Sequence, residues 1–330
     1  MKQEEVILSD TELPKNNDEN TVERTTPLSL LLTNWFEIIK LVVKKNTQDN
    51  LSHVSAGVAF YFLLAIFPLL GSLVSLYGLM VGQESLNSQM ALLIGVIPEQ
   101  ARYILEERIA AIIETSDRAL STGFITGLLL SVWSAGKGAG ALIVGSNITY
   151  EERNNRSFFI GMVTRVIFTL CILVFILVLL TLAVVIPVVL TFIIDSSINE
   201  VLIIIASWFV FTLMLIAGLS LMYRYAPHRR SARWIWITPG AIIACVMLLL
   251  VSSGFNYYVT EFASYNKTYG SIGGVIVMLM WFYLAAYVIL IGAAINAAFE
   301  LQTETDTTVG KDKPMGARGA YVADNQITKK

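Results

Sequence analysis

Residues 166–194 read VIFTLCILVFILVLLTLAVVIPVVLTFII. The stretch contains no Asp, Glu, Lys or Arg. A helix of this composition is apolar all round, so it has no face to offer water and belongs in a core or in lipid. Length decides between them. About 20 apolar residues cross the roughly 30 Å of bilayer hydrocarbon, and this run is longer. Pro187 interrupts it, but the stretch is too short for two crossings, so it reads as one helix with a proline inside.

The rest of the chain repeats the pattern. Residues 54–81, 201–222, 235–259 and 271–299 also lack a charged residue, and 120–145 contains a single one, Lys137. Hydrophobic residues make up 55% of the chain and charged ones 15%, against about 25% charged in soluble domains. The expected fold class is therefore all-α, a polytopic membrane protein with six transmembrane helices over residues 28–300. A net charge of −2 gives no reason to expect a nucleic-acid partner. Cys171 and Cys245 both lie in apolar runs, where a thiol serves as a small hydrophobe, so neither a disulfide nor a thiolate metal site is expected. The first apolar run starts near residue 54, too late for a cleavable signal peptide.

Loop charge gives the orientation, because cations accumulate in short cytoplasmic loops. Lys40, Lys44 and Lys45 precede the first span, Arg153, Arg156 and Arg165 follow the second, and Arg224, Arg229, Arg230 and Arg233 follow the fourth. Lys311, Lys313 and Arg318 follow the sixth. The alternate loops are poor in cations or dilute them with acids. Both termini are thus expected in the cytoplasm.

Residues 1–27 and 301–330 are polar, and we expect both to be disordered cytoplasmic tails. Residues 28–45 place Thr33, Glu37, Lys40 and Lys44 on one helical face, largely opposite Leu31, Leu32, Trp35, Ile38, Ile39 and Val42. That pattern predicts an amphipathic helix in the inner interface. Residues 98–114 form a second such candidate on the outer side, with Pro98 in its first turn.

Chemistry is sparse. The two histidines, His53 and His228, lie on different loops, and no zinc-protease or phosphate-loop motif occurs. No catalytic residue, metal site or cofactor is expected. Glu151 and Glu152 adjoin in sequence, which does not make them face each other. Lys137 stands among small residues, Trp133-Ser134-Ala135-Gly136-Lys137-Gly138-Ala139-Gly140. An intramembrane cation faces the bundle interior or snorkels to the headgroups. The flanking glycines, Gly136 and Gly138 among them, allow close helix approach. Two further segments stand out: the basic loop with Arg224, Tyr225 and Pro227, and the outer turn with Tyr265, Asn266, Tyr269 and Gly270. The first suits phosphate headgroups and topology equally well. The second is either a helix N-terminus open to an anion or a packed turn. No carboxylate sits mid-span, which weakens a proton- or sodium-coupled antiporter.

Four segments carry a family likeness: Ala59-Phe60-Tyr61-Phe62-Leu63-Leu64-Ala65-Ile66-Phe67-Pro68-Leu69-Leu70, Trp133-Ser134-Ala135-Gly136-Lys137-Gly138, Tyr223-Arg224-Tyr225-Ala226-Pro227 and Tyr265-Asn266-Lys267-Thr268-Tyr269-Gly270-Ser271. In order and spacing, over about residues 30–300, they resemble the YihY/virulence factor BrkB family of bacterial inner-membrane proteins, once labelled ribonuclease BN. The family pattern carries arginine where this chain has Lys137, so the charge is kept without the guanidinium fork. The resemblance implies a six-helix membrane protein without a defined biochemical role. A ribonuclease would need clustered His and Asp ligands, which the sequence does not supply. The expected function is transport or translocation of a small anionic or lipid-like solute, and the alternative is a non-transporting envelope scaffold. Membrane lipids and a second copy of the chain are the expected partners.

The topology is open to direct measurement. Reporter fusions after residues 118, 198 and 264 should report the outside, and fusions after 155, 230 and 310 the inside. One loop on the wrong side breaks the assignment.

Overall fold

The computed structural model describes residues 27–94, 117–193, 200–261 and 271–326. Eight helices occur there: α1 Pro27–Gln48, α2 Leu51–Ile94, α3 Asp117–Thr149, α4 Phe158–Ile193, α5 Glu200–Tyr225, α6 Trp234–Glu261, α7 Ser271–Glu300 and α8 Tyr321–Asp324. Among the described residues there is no strand, only an isolated antiparallel bridge between Ala232 and Thr308. Six helices are long and apolar enough to cross a bilayer, with spans Leu51–Leu73, Ser121–Thr149, Phe158–Leu179, Ile204–Tyr225, Trp234–Thr260 and Ile272–Glu300. The run around Pro187 is one helix, as its length requires. Residues 1–26, and with them nearly all of the expected N-terminal tail, lie outside the described residues, as does the candidate outer helix 98–114.

α7 is the hub, packing on α1, α2, α3 and α6. Small side chains make this possible. Gly292, Ala293, Ala294, Ala297 and Ala298 are all buried on α7, so neighbouring backbones approach closely. A Cβ on Gly240 of α6 would lie 2.3 Å from the Gly292 carbonyl oxygen, and one on Gly292 would lie 2.3 Å from the Tyr223 hydroxyl. Asn296 locks the same contact, accepting the Gly240 N–H at 2.8 Å. α2 and α3 form the most extensive pair. Gly127 faces the Pro68 carbonyl there, and Ser72 donates to the Phe124 carbonyl at 3.0 Å. Among their described side chains, α4 and α5 keep most of the apolar ones uncovered, including Ile167, Leu177, Phe209 and Leu213. Lipid is the solvent that makes such a surface stable.

α1 is helical as the pattern predicts, and it is docked on the bundle. Ile38 packs with Trp236, Ala298 and Phe299, while Trp35, Phe36 and Ile39 stay exposed on the flank. Lys45, expected among the solvated loop cations, is buried and pairs with Glu151 at 2.5 Å. Asn50 makes the sharp turn into α2 at φ +49°, a left-handed conformation that asparagine tolerates better than most residues.

The expected disordered tail 301–330 is corrected by the structure: residues 301–326 fold onto the loop between α5 and α6. Arg230 N–H donates to the Gly319 carbonyl, Arg233 N–H to that of Thr307, and Val309 N–H to that of Ser231. Arg318 is buried and donates to the carbonyls of Glu304, Thr305, Lys313 and Ala323. Asp324 gathers the N–H groups of Gly316, Arg318 and Gly319. Composition predicts disorder when too little apolar surface can be buried. Here order comes from polar side chains satisfying backbone, and from glycines at positive φ (Gly310, Gly316 and Gly319) making the turns.

Asp306 makes this docking pH-dependent. Burial alone would raise its pKa, but the N–H and hydroxyl of Thr308, the N–H of Lys313 and the charge of Arg318 outweigh it and hold the carboxyl below its usual range. A depressed pKa stabilises the fold fully above the ordinary value of about 3.9 and loses that contribution as pH falls through the lowered one. We expect hydrogen exchange over residues 303–326 to be faster in Asp306→Ala than in wild type at neutral pH. Corrected for intrinsic rates, the difference should stay constant down to about pH 4 and shrink below it. A difference that disappears already at pH 6 would contradict the assignment.

Candidate functional site

The densest polar cluster gathers where α3 and α7 end beneath the basic loop. α3 terminates in a Schellman turn: Glu152 N–H bonds the Asn147 carbonyl and Glu151 N–H that of Ile148. Glu151 takes the left-handed position at φ +56°, where glycine is usual. Its pairing with Lys45 offsets a strain of about 1 kcal/mol or more. Glu151 pairs with Lys45 of α1 and also meets the Tyr321 side chain, and Glu152 accepts the Tyr321 N–H from the C-terminal segment at 2.7 Å.

At the centre lies Arg229–Glu300, a bidentate pair at 2.9 and 2.7 Å with both side chains 0% exposed. Tyr150 covers the guanidinium, 4.1 Å from its ring centroid. Thr307 donates to Glu300 at 2.7 Å. Asn147 accepts the His228 N–H at 2.7 Å, and Tyr223 donates to the Ile289 carbonyl at 2.8 Å. Burial opposes the charge on Arg229, but the charge and hydrogen bonds of Glu300 outweigh it and keep its pKa above the ordinary value. Burial also drives the Tyr150 pKa upward, against the pull of Arg229. Both groups therefore remain proton donors near neutral pH.

Three buried polar atoms around this pair have no hydrogen-bond partner, Ser146 Oγ, Asn147 Nδ2 and Arg229 Nε, whereas Tyr150 and Asn296 bond each other through their side chains. The two nitrogens can only donate, and the hydroxyl can donate. The cluster is thus deficient in acceptors and suited to water or to an oxyanion. Among the described residues, no three His, Cys, Asp or Glu side chains come together in a form able to hold a metal ion.

The residues singled out from sequence separate into three places. Lys137 lies over Trp133, 5.4 Å from the ring centroid, and Trp133 is 59% exposed on the outward face of α3. Gly136 and Gly140 face α4, against Thr169 and Arg165, whereas Gly138 faces Phe62 of α2. Arg224 stacks on Trp234 of α6 at 4.3 Å and lies 5.6 Å from the Tyr225 ring. Pro227 is buried in the loop beside them. Tyr265, Asn266, Tyr269 and Gly270 lie outside the described residues.

Sequence reasoning missed the cluster itself. Asn296 and Glu300 stand four apart on α7, on one helical face among alanines, and that spacing was the available signal. Tyr150 and Asn147 gave none, because their partners are distant in the chain, and Tyr223 stood out only within its family segment. Arg165 read as a loop cation, yet it lies within a span and against Gly140.

Comparison with known proteins places the chain. The family model for virulence factor BrkB matches residues 42–316. The ribonuclease-like protein YfkH of Bacillus subtilis (strain 168) is 32% identical over 265 residues, covering 78% of this chain and 94% of that protein. The UPF0761 membrane protein Smlt0865 of Stenotrophomonas maltophilia (strain K279a) is 40% identical over 87 residues, 26% of this chain and 20% of that one. A UPF0761 membrane protein of Tolumonas auensis is 31% identical over 85 residues, 26% of this chain and 28% of the relative. No solved structure matches.

Removing one partner of a buried ion pair strands the other charge, at a cost of about 3–5 kcal/mol. Glu300→Gln should therefore lower the unfolding temperature in detergent and the abundance in membranes. Arg229→Met combined with Glu300→Leu should recover part of that loss. A Glu300→Gln protein as stable as wild type would show that the pair does not hold this end of the bundle together.

Proposed function

The chain belongs to the virulence factor BrkB family, and on that premise we propose that it moves a small anionic or lipid-like solute across the cell membrane, with both termini in the cytoplasm. One observation carries the reading, the sign of the fixed charge at membrane depth. The six candidate spans contain the cations Lys137, Arg165 and Arg224 and one acid, Glu300. Glu300 is consumed by Arg229. No carboxylate pairs with the three span cations among the described residues. Lys137 and Arg165 lie inside spans, and Arg224 stands at a span end near the headgroups; unpaired positive charge in a low-dielectric layer favours anions and repels cations. The absence of a free carboxylate in these spans argues against coupling through one.

A second reading, a non-transporting envelope scaffold, is favoured by the place of Lys137. It lies toward an exposed Trp133, and its glycine neighbours serve packing against α2 and α4. A crosslinked stable partner together with no flux in vesicles would support the scaffold. The ribonuclease-like name belongs to the Bacillus relative, and the His, Cys, Asp and Glu placement described above gives it no support in this chain. RNA cleavage that survives purification and tracks point mutants would restore it.

The transport reading is tested in reconstituted vesicles loaded with labelled anions or fluorescent lipids. Lys137→Ala should reduce flux about tenfold or more at unchanged protein abundance. Full flux in that variant removes the lysine from the proposal, and no flux in wild type for any anion or lipid removes transport.

A further inference from the structure

Two arginines of the basic loop have carboxylate partners: Arg229 holds Glu300, and Arg233 holds Asp312. Arg224 differs. Its Nε and Nη1 are shut away from solvent and have no hydrogen-bond partner. Yet the group sits over Trp234, 4.3 Å from its ring centroid, with the Tyr225 ring 5.6 Å away. Stacking satisfies the face of a guanidinium and leaves its N–H groups, which lie in the plane, unanswered. Burying them without an acceptor costs free energy, more so because the group is charged.

The position says what could answer them. Arg224 is next to last in the span Ile204–Tyr225, and Trp234 begins the span Trp234–Thr260. Both rings are largely open to the surroundings, Tyr225 at 54% and Trp234 at 47%. Trp and Tyr concentrate where hydrocarbon gives way to headgroups. A guanidinium at that depth meets phosphate oxygens, which it binds by charge-assisted hydrogen bonds.

We infer that Arg224, seated on Trp234 and flanked by Tyr225, binds the phosphate of an anionic phospholipid headgroup at the edge of α5 and α6. The shared chemistry is a phosphate oxyanion, which a lipid or free phosphate can present. The inference is independent of solute transport, since lipid retention is measured without flux and either can fail alone.

The test uses the full chain in detergent, titrated separately with phosphatidylglycerol, phosphatidylcholine and inorganic phosphate. Bound lipid is counted by native mass spectrometry, and phosphate binding is read as a thermal shift. Wild type should retain one phosphatidylglycerol at about tenfold lower concentration than Arg224→Gln. Arg224→Lys should fall between them, because it keeps the charge and loses the planar group. An Arg224-dependent thermal shift with inorganic phosphate, without Arg224-dependent lipid retention, would assign the site to free phosphate and overturn the lipid. Equal behaviour of wild type and Arg224→Gln in every arm would overturn the site. Should Arg224→Gln not remain monodisperse, Trp234→Leu removes the aromatic seat and leaves the charge. It should weaken phosphatidylglycerol retention about threefold or more, and unchanged retention there also overturns the proposal.

Discussion

The pair between Arg229 and Glu300 joins three parts of the chain that are far apart in sequence. Glu300 ends α7, and Arg229 lies in the loop that α5 and α6 share. Tyr150, which covers the guanidinium, follows α3, and Thr307, which bonds the carboxylate, belongs to the C-terminal segment. A buried ion pair is tolerable only when its remaining hydrogen-bonding capacity is met and water is kept out. That requirement explains the surroundings. The aromatic cover, the threonine and the folded C-terminal segment together supply what a charged pair needs in a dry place.

The packing of α7 is the second half of the same arrangement. In lipid, apolar surface alone does not drive helices together, so close backbone approach and interhelical hydrogen bonds must. Gly240, Gly292 and the alanines of α7 provide the approach, and Asn296 provides the bond. The closely packed part of the molecule is thus α1, α6 and α7 with the loop and C-terminal segment. α4 and α5 keep open apolar flanks suited to lipid or to another helix. Of the span cations, Arg165 lies where α4 meets α3 at Gly140 and Arg224 where α5 meets α6, while Lys137 lies over the exposed Trp133.

Much of the fold was legible because a membrane span is a local property. Twenty apolar residues declare themselves without reference to any other part of the chain, and the run at 166–194 was enough to identify the class. The helix at 28–45 was legible for a similar reason, since its two faces are visible in its own periodicity. The site was legible only in outline. Lys137 drew notice as the one charge inside a predicted span and Arg224 as part of a basic loop, but their surroundings, Trp133 on the same helix and Trp234 on the next, depend on how the helices turn.

What the sequence by itself determined is the number of spans and the family resemblance. The spans follow from composition within a window, on which the bilayer acts separately, and the resemblance follows from four segments in order and spacing. Only the tertiary structure decided that Glu300 would be buried against Arg229, that Lys45 would leave solvent for Glu151, and that the polar C-terminal segment would fold. These outcomes depend on partners 70 or more residues away for both ion pairs. Whether a charge is solvated, paired or left unanswered is set by what the fold places within about 4 Å of it, and no local pattern encodes that distance.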